Sequence, residues 1–389
     1  MMKAAWPTIG LTFTLTLVAA QAGFEKLLSS AETSFDKGDL PGAEKSLLAA
    51  EKLNPKSFLV HNNLGTLYLR QRRYALAVKE FLSASALSPE NADVARNLGT
   101  SYFLSKDYAG ALKPLTGAKQ LDGRDVRTRY QLGYSLLILN RPEAAQPELE
   151  YVRGALPGDE GTLFALVKVY QASRDQPSAS RAFEELKTIH PDSVFVHILL
   201  GESYDIQENW PAAMAEYQKA IEQAPSLPRL HFDLGFLHWE QAHYSEAGSE
   251  FEKELELNPG FVPALYYRGD IALNAVKPAE ALALFRAASD RDPACLEPWL
   301  GQGKALVRLN RPAEALARFE RAAKINGSQP DVYYWMANAY RRLQRPEDSR
   351  RAMDRFKTLS EEGKANPSGE SRDRWSSPAC ESGWGSVQP

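Results

Sequence analysis

Pro55, Pro89, Pro157, Pro191, Pro225, Pro259 and Pro293 fall on one phase of a 34-residue step, and Gly123 and Gly327 fill two phase positions they leave empty. A second series keeps the same step through Gly65, Gly99, Gly133, Gly201, Gly235, Gly269 and Gly303. A fixed period of this length means one supersecondary motif copied along the chain. The two or three separately cored domains that 389 residues would ordinarily suggest give way to a one-dimensional stack, in which each copy buries its apolar face against its neighbours. Little sequence is left over for an inserted catalytic domain.

Counting from residue 24, the chain divides into ten repeats of 34 residues: 24–57, 58–91, 92–125, 126–159, 160–193, 194–227, 228–261, 262–295, 296–329 and 330–363. Each reads as two amphipathic helices. In the first helix a leucine (Leu64, Leu98, Leu132, Leu166, Leu200, Leu234) precedes the glycine, and Tyr68, Tyr102, Tyr170, Tyr204 and Tyr340 follow three residues after the glycine position. Leucine and tyrosine four apart share one helical face. Glycine in a helix costs about 1 kcal/mol relative to alanine, so its recurrence points to a close approach by the partner helix. Val167 is the one bulky exception, and packing there is expected to be looser or shifted. In the second helix Pro142, Pro278, Pro312 and Pro346 share one phase and Pro41, Pro177 and Pro211 lie one residue later. Both places suit a first helical turn, whose N–H groups have no partner within the helix. Alanine follows in nine repeats, from Ala43 to Ala315, and Phe81, Phe183, Phe251, Phe285 and Phe319 stand four residues on as core rings. The period-marking proline ends the second helix.

These residues resemble the tetratricopeptide repeat family, whose pattern is Trp-x2-Leu-Gly-x2-Tyr, then Ala-x3-Phe, then Pro over 34 residues. The likeness covers residues 24–363; tryptophan at the first pattern position occurs only as Trp299, and Arg268 and Gln302 replace the leucine in two repeats. The resemblance implies an all-α, right-handed superhelical solenoid of about ten helix-turn-helix repeats. It places the first helices on a concave face and the second helices on a convex one.

The ends read differently. Met1–Lys3 is a short basic start, residues 9–20 are uncharged, and Ala20-Gln21-Ala22 offers small side chains around a cleavage point. This is the form of a secretory signal peptide spanning 1–22, its 12-residue run from 9 to 20 being too short to span a bilayer comfortably. The expected location is therefore exported, periplasmic or secreted, the alternative being an uncleaved N-terminal anchor. Residues 364–389 are polar, lack the period and are expected to be disordered, although Trp375, Cys380 and Trp384 are unusual there. Cys295 and Cys380 lie far apart in the chain, and a structural disulfide between them is not expected. The seven basic residues from Arg341 to Lys357 read as a solvated end cap. A net charge of −3 gives no reason to expect nucleic acid.

Function should sit at first-helix positions that the period leaves free. By the resemblance these are the second, fifth, sixth, ninth, twelfth and thirteenth of each repeat. Asn63, Asn97 and Gln131 share the sixth position of successive repeats. The row resembles a short form of the asparagine ladder in the superhelix of O-linked N-acetylglucosamine transferases, where amides hold an extended peptide backbone. An amide both donates and accepts, so it can pair with any peptide unit. Further along, the free positions turn aromatic: Tyr130, Tyr134, Phe164, Phe195, Phe232, Phe236, Trp239, Tyr266, Tyr267, Tyr334 and Trp335. These residues are the candidate peptide-binding groove, with packing between helices as the competing reading.

Chemistry is scarce. His231, His238 and His243 are close in sequence and imidazole ligates zinc, but the spacing of seven puts His231 and His238 together on the packing face. Gly301-Gln302-Gly303-Lys304 mimics a phosphate loop without its strand or spacing. Asn62, Asn63, Arg96 and Asn97 give only a partial echo of the two-carboxylate clamp. The expectation is a non-catalytic scaffold without cofactor or metal that binds a protein or peptide, with self-association left open. The alternatives are an accessory subunit of an envelope or secretion assembly, working through the convex face or tail, and an enzyme with an unrecognised site.

Overall fold

The computed structural model describes residues 9–365, with side chains from 21 to 362. The expected signal segment therefore lies partly, and the expected polar tail almost wholly, outside the described residues. Those described form twenty α-helices and no strand, in two compact units that part after Pro191. The N-terminal unit holds the pairs α1 (Ile9–Asp36) and α2 (Leu40–Leu53), α3 (Phe58–Arg70) and α4 (Tyr74–Leu87), α5 (Ala92–Leu104) and α6 (Tyr108–Leu121), α7 (Val126–Ile138) and α8 (Pro142–Ala155), and α9 (Glu160–Ala172) and α10 (Gln176–Ile189). The C-terminal unit holds α11 (Val194–Ile206) and α12 (Trp210–Gln223), α13 (Leu230–Glu240) and α14 (Tyr244–Leu257), α15 (Val262–Asn274) and α16 (Pro278–Arg291), α17 (Leu296–Arg308) and α18 (Pro312–Ile325), and α19 (Pro330–Arg342) and α20 (Pro346–Ala365). Each unit is a solenoid of helical pairs. No helix among the described residues is long and apolar enough to cross a membrane.

The 34-residue step is visible in the backbone. Arg72, Lys106, Asn140, Arg174, Glu208, Ala242, Val276, Asn310 and Gln344 all have φ between 54° and 62°, and Gly38 holds the same phase at 73°. Each is the left-handed residue that stops a first helix. The following N–H then reaches back over the last turn, as from Arg73 to the Tyr68 carbonyl at 2.9 Å. That is the Schellman closure. The second helices start as the prolines require, with Pro142, Pro278, Pro312 and Pro346 at the first helical position.

Packing follows the two small-residue series. The nine alanines from Ala43 to Ala315 are all buried. A methyl group placed on Gly65, Gly201, Gly235, Gly269 or Gly303 would come within 3.0 Å of the ring of Phe81, Tyr217, Phe251, Phe285 or Phe319 respectively. Phe183, in the repeat where Val167 replaces glycine, is only half-buried, which agrees with the shifted packing expected there. Leu200, read as a core leucine, is also half-buried, unlike Leu64 and Leu166.

Three features depart from the sequence reading. The last helix runs past the end of the tenth repeat at residue 363 to Ala365, with Leu359 buried along it. α13 has 11 residues where the other first helices of this unit have 13, because Arg229 at φ 82° starts it late. Cys295 is fully buried and carries a disulfide, which corrects the expectation of no such bond. Its other half lies outside the described residues. Separation along the chain had argued against a bond, but the fold places the Cys295 side chain in an interior cluster with Phe232, Phe261 and Tyr267.

Candidate functional site: the first-helix face

Successive first helices touch one another in each unit: α3 with α5, α5 with α7 and α7 with α9, then α15 with α17 and α17 with α19. A large side chain at the seam between two of them gains about 25 cal/mol per Å² of apolar area covered. That gain decides the fate of most candidate residues. Tyr134, Phe164, Phe195, Phe232, Phe236 and Tyr267 are buried, each less than 9% exposed. They are core, and the reading of them as groove residues is corrected. The Phe232 ring has Phe236, Phe251, Phe261 and Tyr267 within 6.1 Å, centroid to centroid.

The amide row is likewise only partly open. Asn63 and Asn97 are half-buried, whereas Gln131 is 4% exposed and its Oε1 accepts the Thr100 hydroxyl at 2.9 Å. Gln131 thus ties α5 to α7. Tyr130 stays half-buried, its ring stacked on Tyr134 at 6.1 Å, and burial raises its pKa.

In the C-terminal unit a set of partly accessible side chains remains on α13, α15, α17 and α19. Trp239 Nε1 donates to Asp270 at 3.1 Å, and the same carboxylate accepts the Asn274 amide at 3.2 Å. Burial raises the Asp270 pKa, while these donors and the Lys304 charge pull it down. Lys304 is half-buried with its ammonium 5.7 Å from the Trp335 ring centroid. Burial lowers its pKa, against the raising influence of Asp331 and Asp270. Tyr266 is half-buried, and Tyr334 is 42% exposed with its ring edge on Trp335. The arrangement offers aromatic faces, a cation and carboxylates along four first helices. Sequence reasoning passed over Lys304 because it stood in a false phosphate loop. Its signal was a lysine at a ninth position, one of those left free by the period.

The histidines have structural work. His61, His197 and His231 occupy the same repeat position, and each Nδ1 lies 2.6–2.8 Å from a glutamate 19 residues on: Glu80, Glu216 and Glu250. They join the first helix of a repeat to its second. His231, so engaged, is not poised with His238 and His243 for a metal. Glu51, His61 and Glu80 do bring three ligand atoms within 4.8 Å of one another. However, His61 Nε2 lies 2.9 Å from the Pro55 carbonyl while Nδ1 is held by Glu80. A ring donating from both nitrogens keeps no lone pair for an ion. Elsewhere a recess of about 190 Å³ is lined by Glu150, Arg153, Tyr170, Ser178 and Arg181. It is smaller than the roughly 300–1,000 Å³ usual for small-molecule sites.

The comparisons with known proteins agree with this architecture. The tetratricopeptide repeat model matches residues 29–86, 62–126, 232–294 and 300–367, and a second repeat model of the family matches 201–241. The protein belongs to the tetratricopeptide repeat family. No curated protein matches it in sequence. Among solved structures it is similar to the Cut9–Hcn1 hetero-tetramer of the APC/C, with TM-score 0.57, 14% identity, 90% of this chain and 74% of that one covered. It is also similar to an IFIT1 monomeric mutant with Gppp-AAAA, with TM-score 0.50, 15% identity, and 85% and 79% covered. Yeast Tom70 aligns over 89% of this chain and 97% of its own at TM-score 0.43 and 12% identity. At these identities the likeness concerns the fold alone.

Proposed function

We propose that the protein is an exported, non-catalytic scaffold that binds an extended protein segment on the first-helix face of its C-terminal unit. One observation carries the reading: Tyr266, Lys304 and Trp335, on three successive first helices, stay partly accessible while the other aromatic candidates Phe232, Phe236 and Tyr267 are buried. Aromatic side chains dominate binding energy at protein interfaces. A half-buried ammonium over an aromatic ring meets an acidic side chain at reduced dielectric, where the attraction is stronger than in water. Asn63 and Asn97 offer amides to a peptide backbone on the corresponding face of the N-terminal unit. Export is supported by the signal-like N-terminus and by a disulfide, since such bonds persist in oxidising compartments.

The test compares capture from an envelope extract by the wild type and by a Tyr266→Ala, Lys304→Ala, Trp335→Ala triple variant. A Tyr151→Ala variant serves as the second-helix control. The triple variant should lose the wild-type binding partners with its helical circular dichroism unchanged, and the control should keep them. Equal capture by all three proteins would sink the proposal.

A further inference from the structure

We infer that the protein segment bound on the first-helix face of the C-terminal unit is acidic, and that its carboxylates dock on a basic ledge of Lys304, Arg308, Arg341 and Arg342 along α17 and α19. The inference rests on the reading of that face as a docking surface and names the chemistry of its occupant.

The ledge carries charge that the chain does not answer. Among the described residues, none of the four cations has a carboxylate at ion-pair distance. Asp331 and Asp270 act on Lys304 only from farther away. Basic residues at the start of the second helices behave differently. Arg311 pairs with Glu314, Arg345 and Arg351 pair with Asp348, and Arg350 pairs with Glu347. Those charges are met within one helical turn, and the charges of the ledge are left for a partner.

Two of the cations are held in place by the same contact, made twice. Arg308 Nη1 donates to the Leu273 carbonyl at 2.8 Å, and Arg342 Nη1 donates to the Val307 carbonyl at 3.1 Å. Each reaches back 35 residues, onto the last turn of the preceding first helix. Arg342 Nε also donates to Asn338 Oδ1 at 3.2 Å. A guanidinium has five N–H donors, so both exposed side chains keep most of theirs for a ligand. A planar guanidinium matches a carboxylate through two parallel hydrogen bonds. Because the fold already orders these two, binding costs less conformational entropy.

The repeat sets the spacing. Packed helices lie about 8–10 Å apart, which separates Arg308 from Arg342 by about that distance. A polyproline-II segment presents the same face every three residues, about 9 Å on. Glutamates three apart on such a segment reach both guanidiniums. Lys304 stands one turn before Arg308, about 6 Å along the axis, and its ammonium lies 5.7 Å from the Trp335 ring centroid. It joins the ledge to the aromatic patch.

The same helices argue against a nucleic acid. Glu297 and Asp331 lie in their first turns, at the end away from the ledge, and Asp270 sits among the aromatic side chains. A protein segment can confine its charges to the ledge and set apolar side chains beside those carboxylates. A phosphate backbone is charged at every step.

Fluorescence anisotropy on the full chain tests the inference with two short labelled peptides. One has glutamate at every third position with proline and tyrosine between, and the other has glutamine for each glutamate. The glutamate peptide should bind at least about tenfold tighter at low salt, an advantage that shrinks at high salt. Arg308→Gln with Arg342→Gln should lose the advantage. Arg341→Glu, outside both carbonyl contacts, should reduce it, and Arg350→Gln with Arg351→Gln should keep it, all with unchanged helical circular dichroism. No preference for glutamate over glutamine overturns the inference, as does a preference that survives both ledge variants. Tighter binding of an oligouridylate through the same arginines overturns it in favour of nucleic acid. Partner capture separates this inference from the reading beneath it. If the Arg308 and Arg342 double variant still captures the partners that the Tyr266, Lys304 and Trp335 variant loses, the groove stands and the ledge falls.

Discussion

Gly303 lies so close beneath the Phe319 ring that a methyl group placed on it would come 2.0 Å from Cε1. The seven glycines of this register face seven side chains that are at most 1% exposed: Phe81, Leu115, Leu149, Tyr217, Phe251, Phe285 and Phe319. Where Val167 takes the glycine's place, Phe183 is half-exposed and Lys187 covers its ring at 5.3 Å. Gly303→Ala should therefore destabilise by about 1–3 kcal/mol through overpacking, although alanine is the better helix former by about 1 kcal/mol. Phe319→Leu should cost less in the G303A background than alone, a coupling that a double-mutant cycle in urea would read. A neutral or stabilising Gly303→Ala would show that the ring moves aside freely.

The left-handed turn residue gives a prediction of opposite sign. Val276 holds φ 59° at a site where other repeats place Gly38, Asn140 and Asn310. A β-branched residue there is strained, and Val276 is 75% exposed, so little packing is lost on replacing it. Val276→Asn should stabilise the protein by about 1 kcal/mol. An unchanged or lower thermal midpoint would refute the strain argument.

His61 supplies a pH-dependent term. Burial opposes its charge, but the Glu80 carboxylate and the Pro55 carbonyl outweigh that and raise its pKa above 6.5. Below 6.5 both folded and unfolded chains hold the proton, and the stabilisation is complete. As pH rises through the raised native value, the unfolded chain has already lost the proton and the stabilisation disappears. His61→Gln should cost about 1.5–3 kcal/mol at pH 5.5, the worth of a hydrogen bond to a charged group. It should cost clearly less at pH 8.5. Equal costs at both pH values, measured by urea unfolding, would contradict the ion-pair reading.

The sequence carried the fold well because every repeat restates it. Period, helix pairing, proline starts and glycine contacts can all be read from residue types at fixed phase. The site was less legible. Phe232 and Tyr266 are both aromatic at free positions, yet one is buried and the other accessible. That difference depends on how closely neighbouring first helices approach, which residue type does not encode. The disulfide at Cys295 was hidden for a similar reason, since chain separation says nothing about return paths. One residue at a fixed phase does mark a special site. The phase that places alanine at residues 50, 84, 118, 220, 288 and 322 places glutamate at 254.

Glu254 is fully buried on α14, and its Oε2 accepts the backbone N–H of Arg229 at 2.8 Å. Arg229 is the N-cap of α13, whose own side chain makes no cap bond. The carboxyl of the neighbouring helix thus takes the place of the Ser57, Asn91 or Asp159 caps of other first helices. Burial raises the Glu254 pKa to about 7, against the lowering influence of the Arg229 and Phe232 amides. A carboxyl with a raised native pKa binds its proton more tightly folded than unfolded. Stability is therefore lost as pH rises from the ordinary glutamate value of 4.5 through about 7, and is flat above that. The loss is on the order of 3 kcal/mol at pH 8. Glu254→Gln keeps an oxygen for the Arg229 N–H and removes the titration. It should match the wild type near pH 4 and exceed it at pH 8. Glu254→Ala restores the residue of the other repeats but leaves the N–H without its acceptor, so it should be less stable than Glu254→Gln at pH 8. Parallel pH profiles for wild type and Glu254→Gln, measured by urea unfolding, would show that burial does not raise the pKa of Glu254 in the folded chain.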